Sequence, residues 1–168
     1  EDHRIARLAA AAIGLSLIDA AIPMPLPGIK PGLANIVTLV VLERYGWTTA
    51  AWVCLLRVIG SGLLMGQFLA PGFLMSLSGA AFSLAVLAPV SRLPKPWFGP
   101  VSWSLFASFA HMGGQILLAW LWLIPHPGLF YLVPLFATAA LIFGIINGLI
   151  AGRLLLEEAA RSPDTPHA

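Results

Sequence analysis

A chain of 168 residues that is 59% hydrophobic and 10% charged has too little polar surface to dress a soluble core, since soluble domains average about a quarter charged residues. Its formal charge of +2 is spread over scattered basic residues, which excludes a nucleic-acid patch; in an apolar chain that excess reports membrane topology. Cys54 is the single cysteine, so an internal disulfide is excluded as well.

Apolar runs punctuated by Pro, Gly or charge predict six helices, each near the roughly 20 residues that a bilayer requires. The first covers 4–22. Arg4 and Arg7 precede its apolar run, but Asp19 interrupts the run and no small-residue cleavage site follows, so it reads as a retained helix and not a signal peptide. A segment broken by Pro and Gly, Pro23–Asn35 (PMPLPGIKPGLAN), then carries Lys30. Broken backbone of this kind cannot face lipid and must be buried in protein or line a cavity. The second helix, 32–45, is short and begins inside the membrane boundary. The others are expected at 47–69, 72–91, 100–124 and 130–157, with a disordered tail over 161–168. The expected fold is an all-α integral membrane protein, one domain of six transmembrane helices over residues 1–160.

Arg4 and Arg7, Arg44, Arg92 and Lys95, and Arg153 and Arg161 fall at alternate helix ends. The positive-inside rule makes those ends, and both termini, cytoplasmic. The Pro23–Asn35 segment then lies on the outer face. Trp47, Trp97, Trp120, Trp122 and Tyr131 fall near predicted helix ends, as an interfacial belt requires.

Ionisable groups beside bilayer-length apolar sequence are costly and mark binding sites or ion pairs. Arg57 lies about 15 Å into the third helix at 1.5 Å per residue. It is either paired with Asp19 or an anchor for an anionic ligand group. His111 and Gln115, four apart, share one helix face and either pack or line the same cavity. Asn35 sits near a helix N-terminus, whose dipole favours anions, and Lys30 adds charge there or snorkels to headgroups. Asn147 reads as an interhelical hydrogen-bonding residue. The candidate substrate-binding set is Asp19, Lys30, Asn35, Arg57, His111 and Gln115.

Gly144, Gly148 and Gly152 form one small-residue face, and Ala6, Ala10 and Gly14 another. Such faces let helices approach closely in lipid, either within the bundle or, for the first helix, against a separate membrane subunit. No P-loop motif is present, so the chain does not itself bind ATP that way. The only aspartates, Asp2, Asp19 and Asp164, form no paired site for magnesium and diphosphate, and no metal-ligand spacing occurs. No catalytic constellation can be assembled; neither catalysis nor a cofactor is expected.

GIKPGLANIVTL (28–39), LLRVIGSG (55–62) and AHMGGQIL (110–117) resemble segments of the bacterial Gx transporter family, also labelled heptaprenyl diphosphate synthase component I. The resemblance covers the first five predicted helices in order. The sequence departs from it at Pro31, where an aliphatic residue is usual, and at Met112–Gly113, where Asn and an aliphatic residue are usual. That family looks similar to the substrate-binding S components of energy-coupling-factor vitamin transporters. The likeness implies an inner-membrane, six-helix protein with an outer pocket under its first loop. It also implies an alanine-rich first helix docked on a transmembrane coupling subunit driven by two ATPases. The other label implies a non-catalytic membrane partner of polyprenyl diphosphate or menaquinone biosynthesis. A proton- or ion-coupled carrier is the third class, disfavoured because only the first half of the chain has a broken helix.

Overall fold

The computed structural model describes residues 2–23, 32–94 and 97–161. Among them every regular element is helical: α1 (Asp2–Ala21), α2 (Ala34–Leu64), α3 (Pro71–Val90), α4 (Pro100–Leu118) and α5 (Val133–Arg161). A π-helical turn, Ala119–Leu123, extends α4, and a 3-10 turn, Pro127–Leu132, leads into α5. Pro in the first turn starts both α3 and α4, where its missing N–H has no helical partner to lose. Lys30, Lys95 and residues 162–168 lie outside the described residues.

Among the described residues five helical elements stand where six helices were expected. The segments expected at 32–45 and 47–69 are both helical, and they join in α2 as two helices that meet at a kink with no loop between them. Gly46 makes the kink, with φ 83° and ψ 176°, a conformation essentially restricted to glycine. The kink turns the chain back. Before it, Asn147 of α5 donates to Gly32 O at 3.3 Å and Arg44 pairs with Glu158 at 2.7 Å. After it, Gly60 meets Ile13 of α1. The two halves of α2 therefore run in opposite axial senses, and the first begins beside the middle of α5.

Among the described residues four stretches are long and apolar enough to cross a membrane: Ala34–Leu64, Pro71–Val90, Pro100–Leu123 and Pro127–Ala160. α1 is not one of them; it carries Asp2, Arg4, Arg7 and Asp19 within its 20 residues. Leu141, Ile142, Ile145, Ile146 and Leu149 stand exposed along α5, an outward apolar face that lipid suits. At one end of the bundle Arg4 lies 5.0 Å over the Tyr45 ring, beside the Arg44–Glu158 pair. This charged end fixes the axial sense used below. Trp97 and Tyr131 are almost fully exposed, while Trp47 donates to Leu84 O at 2.9 Å.

The core follows from small residues at crossings. Ala12, Ala50, Ala107 and Ala151 are buried with Leu39, Val41, Val53 and Leu87. α4 and α5 approach through glycine: a Cβ on Gly148 would stand 2.6 Å from Val101 Cα, and one on Gly144 would stand 3.1 Å from Ser108 Oγ. A Cβ on Gly152 would meet nothing within 4 Å. The glycine face thus packs within the chain over two of its three positions. Gly148→Ala should therefore lower stability by about 1–3 kcal/mol through overpacking, and Gly46→Ala by a similar amount through backbone strain. Gly152→Ala should be near neutral or stabilising. Thermal unfolding of the three variants in detergent checks the order.

Candidate functional site

A cavity of about 360 Å³ opens between the helices, and all five contribute to its wall. Each contributes side chains at helical spacing. α1 brings Ser16 and Asp19, α2 brings Arg57, Ser61 and Met65, and α4 brings Ser108, His111, Met112 and Gln115. α5 supplies Ala139, Phe143 and Asn147 from the opposite side. Five of the six residues expected from sequence (Asp19, Asn35, Arg57, His111 and Gln115) line this one cavity. The sixth, Lys30, lies outside the described residues.

Arg57 is 8% exposed. Its Nη2 donates to Cys54 Sγ at 3.6 Å, one turn back on the same helix, and sulfur is a weak acceptor. Its Nε is buried with no hydrogen-bond partner among the described residues. A guanidinium carries five N–H donors, so this one retains donor capacity at a cavity wall. That is costly in an apolar interior and is the geometry of a group awaiting an acceptor.

His111 is seated by a glycine. A Cβ on Gly79 would lie 2.7 Å from both Cε1 and Nε2 of the imidazole, so the ring lies against bare backbone of α3. Its Nδ1 is buried without a partner among the described residues. Near it, Ser78 Oγ donates to Gly114 O at 2.9 Å and ties α3 to α4. At the deep end Gly32 has φ 72°, and its carbonyl accepts from Asn35 N at 2.8 Å and from Asn147 Nδ2 at 3.3 Å. Leu33, at the N-cap, supplies no side-chain cap, which leaves the positive end of α2 directed toward this polar corner. Beyond Asn35 and Ser108 a pocket of about 10 Å³, lined also by Thr38, Ser83 and Ser104, has room for about one water.

Sequence reasoning assigned Asn147 to interhelical bonding. It makes that bond and also reaches the cavity. The methionines Met65, Met75 and Met112 were missed, as were Ser16, Ser61 and Ser108. Ser61 and Met65 could have been found, since they stand four and eight residues from Arg57 on its own face. Met75, on a helix without any buried charge, had no such signal.

The match to a family model described as heptaprenyl diphosphate synthase component I runs over residues 8–154. The chain belongs to that family. No curated protein and no solved structure matches it. In this component I protein the matched span takes in the whole described wall of the cavity, from Ser16 to Asn147. It also takes in most of the small-residue face of α1. Ala6 and Ala10 are exposed, and a Cβ on Gly14 would meet nothing within 4 Å; Ala9 and Ala12 face inward instead. Among the described residues, no group of three or more His, Cys, Asp or Glu gathers that could hold a metal ion.

Gly79→Ala should displace the His111 ring from its seat and lower the unfolding temperature by several degrees, the consequence of an overpacking penalty of about 1–3 kcal/mol. The double variant Gly79→Ala with His111→Ala should recover most of the loss. Differential scanning fluorimetry of the pair reads the coupling.

Proposed function

We propose that this component I protein is a membrane substrate-binding protein that takes a small anionic molecule into its cavity and works with partner subunits. The observation that carries the reading is Arg57, a buried cation on the cavity wall whose Nε has no hydrogen-bond partner among the described residues. A volume of about 360 Å³ lies within the range of small-ligand sites. In this reading Arg57 and Lys30 meet the anionic group, while Asn35, His111 and Gln115 hydrogen-bond the rest. Asp19 lines the same cavity. The charged end faces the cytoplasm by the positive-inside rule, which directs the opposite end of the bundle outward.

The protein binds without catalysing. Ala6, Ala10 and Gly14 form the docking face for a transmembrane coupling subunit, as in energy-coupling-factor S components, and ATP hydrolysis belongs to further partners. Support for docking is the exposure of these small residues on α1, a helix too charged to count among the spanning stretches. A second reading is favoured by the family description: a non-catalytic membrane component of a polyprenyl diphosphate synthase.

Native mass spectrometry of the protein extracted gently from its host membranes separates the two. A bound small molecule, reduced at least tenfold in occupancy by Arg57→Gln, is the expected result; losing one charge-assisted contact costs about 1.5–3 kcal/mol. An empty protein held in a stoichiometric complex with a prenyl synthase would establish the second reading instead.

A further inference from the structure

Three of the chain's four methionines, Met65 at the C-cap of α2, Met75 on α3 and Met112 on α4, converge on this cavity. They are joined by Phe73, whose ring packs against that of Phe68 at 5.0 Å between centroids, tilted by 53°. Gln67 and Ser76 line the cavity beside them, so this end is methionine-rich without being wholly apolar. The deep end of the cavity carries Gly32, Asn35 and Asn147, with Arg57 above them. Met65 stands eight residues beyond Arg57 on the same face, about 12 Å further from the charged end at 1.5 Å per residue. Met75 lies four residues, about 6 Å, to the same side of the Gly79 seat of His111. Asp19 is the one carboxylate on the described wall. It lies six residues past the contact between Ile13 and Gly60, about 9 Å toward the far end. Among the described residues of the wall, Arg57 is the formal charge nearest the deep end.

Methionine is unbranched and polarizable, and its sulfur contacts aromatic or unsaturated groups favourably. A cavity for a sugar or another uniformly polar ligand has no use for three of them. We infer that the ligand is a short amphiphile. Its anionic head, a carboxylate or a phosphate, sits at Arg57 and the amides of Asn35 and Asn147. Its unsaturated or aromatic body lies against Met65, Met75 and Met112. The inference rests on the substrate-binding reading above and adds the chemistry and direction of the ligand.

The test uses the full chain in nanodiscs with four probes: geranyl phosphate, its fully saturated analogue, geraniol and inorganic phosphate. Geranyl phosphate should bind saturably. Geraniol should bind about tenfold more weakly or worse, for want of a charge-assisted contact, and the saturated analogue about threefold more weakly, for want of sulfur contacts. Inorganic phosphate should show no saturable binding. Arg57→Gln should abolish the preference for phosphate over alcohol. Met65→Leu, Met75→Leu and Met112→Leu combined, a nearly volume-conserving change, should abolish only the preference for the unsaturated chain. Geraniol binding as tightly as its phosphate, equal binding of the two chains, or no binding by any probe overturns the inference. So does a ligand from host membranes that lacks either an acid or an unsaturated body, and that result leaves the substrate-binding reading standing. A host-extracted protein with no small molecule removes the reading itself.

Discussion

A helix that begins halfway down an apolar bundle must satisfy its first backbone groups without water. The start of α2 faces this constraint, and much of the cavity follows from it. Gly32, at φ 72°, directs its carbonyl to meet Asn35 N and the Asn147 amide together. Only a residue without a Cβ adopts that conformation readily, and a Cβ there would come within 3.2 Å of Asn35 Nδ2. The result is a polar corner in the interior, closed on one side by α5 and open on the other to the cavity. Irregular backbone at membrane depth is tolerated only in such a place.

The return of the chain at Gly46 is what makes a second use of α2 available. The first half of α2 brings Asn35 to the deep end; the second half carries Arg57, Ser61 and Met65 up the adjacent wall. Arg57 is retained there despite the cost of burying a cation, with a sulfur atom of Cys54 as a weak acceptor. A protein that needed only a stable bundle would gain by replacing this arginine with an apolar residue of similar volume. Its presence at a cavity wall, with a histidine on the same wall whose Nδ1 has no partner among the described residues, is what the proposed binding role explains.

Two small-residue faces serve different ends. On α5, Gly144 and Gly148 are taken up by α4, which holds the rear of the cavity together at backbone distance. On α1, Ala6, Ala10 and Gly14 remain open. Membership of a family described as a synthase component and the proposed substrate-binding role both call for a partner.

The apolar composition, the helical class and the glycine-broken entry to α2 were legible from sequence, because each is a local property: a run too hydrophobic for water, a spacing of 3.6, a backbone that cannot continue. The cost of burying charge also made Asp19, Arg57 and His111 conspicuous. That the second and third predicted helices would meet at a single glycine, with no loop between them, was not legible. Nor could sequence say that Met65, Met75 and Met112 share a wall with Arg57, or that Asn147 reaches Gly32 across 115 residues. A methionine in an apolar helix looks the same whether it meets lipid, core or cavity. Only the packing of α3 and α4 against the returned half of α2 decides which.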